Sequence, residues 1–195
     1  MDADAFLETV RGENKTALSR LGSSKSLYAD TEGEMDAEPV LRATADHYGA
    51  AADVLAEWAE DDGAFADLAA AVADQYETVV SELGDHDPER RPAVEALAAS
   101  EHRAGALAGW AVVTDTKTAQ LVGFFVGQAD PQSAQTFREV GDAMDDVVAN
   151  AAALAVDGAD DPDAAVEAAG AVIQAAYDAY TETLEGMGVN PKPVC

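Results

Sequence analysis

The chain of 195 residues has a single cysteine, Cys195. That excludes an intrachain disulfide, a four-cysteine zinc site and an iron–sulfur cluster held by this chain alone. Aromatic residues are sparse at 6%, and one isoleucine stands against 44 alanines. A core of this composition is built from small side chains on helices, since Ala has the best helix propensity and a poor one for strands. No stretch approaches the ~20 consecutive apolar residues of a membrane-spanning helix, which argues against a membrane partner. The opening Met1-Asp2-Ala3-Asp4 is acidic where a secretory leader would be basic, so a cytoplasmic protein is expected.

Positive charge is the other scarcity. Four lysines and seven arginines face 22 Asp and 16 Glu, a net charge of −27 at pH 7. Self-repulsion of this size destabilises a compact chain in dilute buffer. At ~1 M salt the Debye length falls to about 3 Å, and such a surface becomes tolerable. The acids are spread along the whole chain, the pattern of a halophilic cytoplasm rather than of an acidic tail or a nucleic-acid mimic. The densest basic group is Arg90-Arg91, so direct nucleic-acid binding, which needs clustered Lys and Arg to displace counterions, is not expected.

Apolar periodicity then lays out helices. Phe6, Leu7, Val10, Ala17, Leu18 and Leu21 mark a first helix over 5–21, ended by Gly22-Ser23-Ser24-Lys25-Ser26, with a polar loop over 28–36. Pro39 sits just inside a second helix whose apolar face runs from Val40 through Tyr48 to Trp58. A third, from Phe65 to Leu83, follows a short turn, so the two form an antiparallel hairpin. A fourth helix is expected from Glu89 to about Ala111. Residues 111–126 read either as a hairpin across Thr114-Asp115-Thr116 or as a helix to Gln128, the helix being preferred because an isolated hairpin is marginal in water. Asp130-Pro131 and the Asp157–Pro162 segment are helix starts. The whole reads as one domain over 1–195: an N-terminal helix and loop (1–37), a helical bundle (38–186) and a tail (187–195) stiffened by Pro191 and Pro193 and expected to dock. Alanines crowd residues 151–176, which suggests homo-oligomerisation through an Ala-rich face.

Chemistry-bearing motifs are few. Di-iron bundles use Glu-x-x-His turns, because i and i+3 share a helix face. Here His47 follows Thr44, His86 follows Leu83 and His102 follows Ala99, so the motif is absent. Carboxylate pairs such as Glu57 with Glu60, or Asp142 with Asp145 and Asp146, arise readily in so acidic a chain. The best metal candidates are Asp46 and His47 on the second helix with Asp74 and Glu77 on the third. Tyr48 and Tyr76 read as core aromatics with hydroxyls at the rim. No nucleophile elbow, Walker loop or dinucleotide fingerprint is present, and Ser23 with Lys25 is a weak anion site at best. A terminal thiol beside the α-carboxylate holds its proton, which makes Cys195 a poor nucleophile and leaves a docked tail or a thiol sensor.

Several segments resemble a known group: Thr16 through Lys25, Leu27-Tyr28-Ala29-Asp30, Phe124-Phe125-Val126 with Ala129-Asp130, and Tyr180 through Gly186-Met187-Gly188 to Cys195. The pattern is similar to haloarchaeal proteins of the rubrerythrin (ferritin-like) family, some of them labelled transcription antitermination factors. That resemblance implies an all-α, ferritin-like up-down bundle with additional helices. Where a rubrerythrin places Glu-x-x-His on its third helix this chain has Val72 and Gln75, and the rubredoxin cysteines are missing. The expectation is therefore a binding or interaction module without a complete di-iron site or other cofactor. The alternatives are a divergent iron protein of oxidative-stress chemistry using Asp46, His47, Asp74 and Glu77, or a transcription-associated factor acting through its protein surface.

Overall fold

The computed structural model describes residues 1–157 and 161–192. Within them the chain is all-α, with nine helices: α1 (Ala3–Glu13), α2 (Lys15–Leu21), α3 (Ser24–Asp30), α4 (Ala37–Asp61), α5 (Ala66–Leu83), α6 (Pro92–Ala99), α7 (Arg103–Gly127), α8 (Pro131–Val156) and α9 (Pro162–Gly186). A 3-10 turn over Gly63–Phe65 leads into α5. No helix of the described residues is long and apolar enough to cross a membrane.

Local chemistry sets the boundaries. Asp130 and Asp161 each accept two backbone N–H bonds at the head of a helix whose first residue is proline, which satisfies donors the helix itself cannot. Gly84, at φ +93°, stops α5 in a conformation few other residues adopt.

Three expected elements are corrected. The single helix over 5–21 is two, broken at Asn14, whose side chain donates back to Val10 O and closes α1. Part of the polar stretch expected as a loop is α3, which buries Leu27 and Ala29. The helix expected from Glu89 to Ala111 is two helices separated by an extended Ser100, with His102 Nδ1 accepting from Gly105 N to start α7. Residues 111–126 lie within α7 as one helix with no hairpin.

Helix α7 is the centre of the molecule, with Gly105 through Thr114 buried without interruption. Helices α4 and α5 form one hairpin and α7 and α8 another, while α9 lies along α7 and α6 bridges α9 to both hairpins. The approach of α9 to α7 depends on glycine. A Cβ on Gly105 would stand 2.8 Å from the Cα of Ala165, and one on Gly109 would stand 2.7 Å from the Cα of Ala169. By contrast, α4 meets α7 through large rings: Tyr48 and Trp110 are both buried, in an edge contact at 6.1 Å. The Ala-rich stretch is largely used inside the chain. Ala151, Ala152, Ala155, Ala165, Ala169 and Ala176 are buried within the chain, whereas Ala153 and Ala171 are exposed and Ala164, Ala168 and Ala175 are half-buried.

The docked tail is seen as far as Lys192. Arg20 donates to Pro191 O at 2.8 Å, Lys25 donates to Asn190 O and Lys192 O at 2.8 and 2.9 Å, and Tyr180 OH donates to Pro191 O at 3.1 Å. Lys25 is thus committed to the tail rather than to an anion. Cys195 lies outside the described residues.

Few acids find a cation. Among the described residues only Arg42, Arg90, Arg91, Arg103 and Lys117 of the lysines and arginines have a carboxylate within 4.0 Å. The remaining negative charge is unpaired, so the thermal midpoint followed by circular dichroism is expected to climb steadily between ~0.1 and ~3 M salt as repulsion is screened. A midpoint indifferent to salt would contradict the electrostatic argument.

Candidate functional site

The site grows out of the breaker between α5 and α6. Gly49 of α4 has no side chain, and the loop presses into the space. A Cβ there would lie 2.6 Å from the Tyr76 ring and 2.8 Å from Pro88. Tyr76 OH donates to His86 O at 2.8 Å and pins the loop to α5. Three groups of the segment then converge on Asp46. His86 Nε2 meets Oδ1 at 2.7 Å, Glu89 N donates to Oδ1 at 3.0 Å, and Arg91 donates to Oδ2 from Nε at 3.1 Å and NH2 at 2.7 Å. Burial by itself would raise the Asp46 pKa, but the Glu89 N–H, Arg91 and His86 outweigh it and hold the carboxyl below its usual value.

Arg91 also joins α3 to this hub, donating from NH1 to Asp30 O at 3.2 Å. The Asp30 carboxylate accepts two bonds from Lys117 Nζ of α7, at 2.7 and 2.8 Å. Two acids and two cations therefore form a balanced, part-buried cluster where α3, α4, α7 and the segment before α6 meet.

Beneath it lies a hydrogen-bonded row whose polarity can be read. On α7, Thr114 Oγ1 donates to Trp110 O and Thr118 Oγ1 donates to Thr114 O, each over one turn. Each hydroxyl has one proton, so each is an acceptor toward α4. His47 Nε2, 2.9 Å from Thr114 Oγ1, is thus the protonated nitrogen, and Tyr48 OH, 2.8 Å from Thr118 Oγ1, is the donor. His47 Nδ1 keeps an unshared lone pair with no partner among the described residues. The ring stacks on Trp110 at 5.7 Å, and Trp110 Nε1 is buried without a hydrogen-bond partner among the described residues. Burial, reinforced by the nearby Lys117 charge, drives the His47 pKa from 6.5 to about 3, and burial likewise raises that of Tyr48.

Two openings meet at this row. One, of about 30 Å³, is room for about one water between α3, α4 and α7. The other is a cleft of about 230 Å³ that runs toward α9. Asp30, His47, Arg91 and Lys117 line both. Ala93, Ala176 and Tyr180 form part of the cleft wall, so the residue that holds Pro191 also borders the cleft.

The metal candidates do not come together. Asp46 and His47 are buried on α4 but belong to separate networks, whereas Asp74 and Glu77 are exposed on α5. Asp74 lines a groove against α1 and α8 instead. Among the described residues no group of three or more His, Cys, Asp and Glu side chains converges to hold a metal ion. The Tyr48 hydroxyl, expected at the rim, is inside. Asp30, Arg91, Thr114, Lys117 and Thr118 were not apparent as site residues in the sequence. One visible signal was Thr114, Lys117 and Thr118 at i, i+3 and i+4, which puts two hydroxyls and an ammonium on one face of α7. In the doublet Arg90-Arg91 the second member is half-buried against Asp46, and Arg90 lies 4.0 Å from Glu57.

Because unfolding returns His47 to a solvated imidazole, the pH dependence has a definite sign. The unfolded chain takes up this proton near pH 6.5 and the folded one only near 3. Stability from this group is complete above pH 6.5 and is lost as pH falls toward 3, by up to about 1.4 kcal/mol per pH unit. Denaturant titrations of the parent and His47→Gln across that range are expected to show the slope reduced in the variant. Equal slopes would contradict the assignment.

No family model, curated protein or solved structure matches the chain.

Proposed function

We propose that the protein is a helical small-molecule binding module without a di-iron centre, related to the rubrerythrin-like group and working in a high-salt cytoplasm. The observation that carries this reading is the unshared Nδ1 of His47. It is a polar atom on a side chain 7% exposed, at the junction of two openings. An acceptor without a protein partner, on a side chain that lines a cleft, is a place for a ligand. Arg91 and Lys117 beside it are paired with Asp46 and Asp30 but keep unspent N–H donors, and Asp46, the carboxylate nearest a metal role, has both oxygens occupied. Such an arrangement orients a ligand but offers neither a poised base nor a nucleophile, since an imidazole titrating near 3 is a weak proton acceptor.

The test is preparation of the protein in molar salt without chelator, followed by metal analysis and a thermal-shift screen of small polar molecules. Substoichiometric iron with a midpoint raised by at least one compound, and no rise in His47→Gln, is expected. Stoichiometric iron lost on replacing Asp46 or His47 would overturn the reading in favour of a divergent carboxylate metal protein.

A further inference from the structure

The donors and acceptors left over around the cleft define a ligand class, an inference that rests on the binding-module reading. Lys117 has three N–H donors and spends two on Asp30. Arg91 has five and spends one each from Nε, NH1 and NH2 on Asp46 and Asp30. One Lys117 hydrogen and two Arg91 hydrogens remain beside the cleft these residues line. His47, which lines the same cleft, has its Nε2 engaged by Thr114 and leaves Nδ1 as an acceptor without a partner among the described residues.

Spare cationic donors call for an anionic oxygen pair, and a lone imidazole acceptor calls for a neighbouring O–H or N–H. An ammonium in that second place would sit next to Arg91 and Lys117, whose charges already act against a positive charge on His47, so a neutral hydroxyl fits better. At the rim the exposed Glu182 opposes a second negative charge. Ala93 and Ala176 leave room for a short alkyl group. We propose that the cleft binds a short 2-hydroxymonocarboxylate, with the carboxylate on Lys117 and Arg91 and the hydroxyl donating to His47 Nδ1. Specificity over the plain acid then comes from the one imidazole nitrogen.

The full chain at ~1 M potassium chloride is titrated with lactate, propionate, alanine and 1,2-propanediol, following heat and the histidine NMR signals. Chloride competes with every carboxylate alike, so ratios are read. Lactate is expected to bind about tenfold more tightly than propionate, the worth of one good hydrogen bond at a buried site. Alanine and the diol should be weaker still. His47→Gln keeps a donor for Thr114 but removes the Nδ1 acceptor, and should bring lactate down to the level of propionate. Equal affinity for lactate and propionate in the parent protein overturns the proposal whether or not the variant folds. So does undiminished lactate binding in a folded variant. If the diol or alanine binds and lactate does not, the ligand class is wrong while the binding module stands. If no probe moves the His47 signals or the thermal midpoint, both fail.

Discussion

Gly109→Ala is expected to lower the thermal midpoint by about 5 °C or more, although it places a better helix former in the middle of a helix. The propensity gain is about 1 kcal/mol. Against it stands a methyl group 2.7 Å from the Ala169 Cα and closer still to its carbonyl oxygen. Overpacking commonly costs about 1–3 kcal/mol, occasionally more, and here the obstacle is backbone, which has no alternative rotamer. The helices must separate to admit it, and α9 would lift from the glycines it rests on. Gly105 makes the same contact with Ala165 one turn away, so Gly105→Ala is expected to behave alike and the double variant to fail to fold. Gly123→Ala is the internal control. It lies on the same helix, exposed, with nothing within 4 Å of the added Cβ, and should stabilise by up to about 1 kcal/mol. Thermal melts of the three single variants at one salt concentration decide the matter. A Gly109→Ala protein as stable as Gly123→Ala would mean that α7 and α9 are not in backbone contact.

The second large effect is expected at Asp46. Asp46→Ala removes the acceptor for His86, for the Glu89 amide and for two Arg91 nitrogens at once. Losing one partner of a buried pair costs about 3–5 kcal/mol. The Arg91 side chain is 35% exposed, and water takes up part of the loss, so about 2–3 kcal/mol is a better expectation. Asp46→Asn, which keeps shape without charge, should fall between the two. Acid should reproduce the effect in the parent protein. The folded pKa of Asp46 lies below the unfolded value near 3.8, so its contribution is intact above that value and fades as pH drops through the folded one. A denaturant midpoint unchanged in Asp46→Ala would show that the loop before α6 holds its place without this carboxylate.

The long helices were legible in the sequence for a simple reason. Val40 to Trp58 and Phe137 to Leu154 repeat apolar residues at helical spacing, and Asp-Pro pairs mark the starts of α8 and α9. The short elements were not. Helix α3 is seven residues of mostly polar composition, held by packing that periodicity cannot report. The break between α6 and α7 lies in a stretch whose composition is helical on both sides, and it is set by where α6 must pack. Even less of the site was visible. His47 stood out as a histidine, but its partners Thr114 and Trp110 lie more than sixty residues away. Asp46 suggested metal chemistry, and its real partners come from a segment that reads as a breaker. Composition could not reveal that Gly49 admits Pro88 or that two of the chain's few cations line one cleft.

The site turns on His47 being a neutral imidazole, protonated on the Nε2 that donates to Thr114, on a side chain that lines the cleft. Nitrogen-resolved NMR of the histidine side chains reads it directly, with His47→Gln identifying the signals. As pH is lowered from about 8 to 4 in molar salt, His47 is expected to keep its proton on Nε2 and stay uncharged throughout. Its Nδ1 resonance should move when a cleft ligand is added. A His47 that takes up a second proton near pH 6.5, or that carries its proton on Nδ1 at neutral pH, would contradict the account.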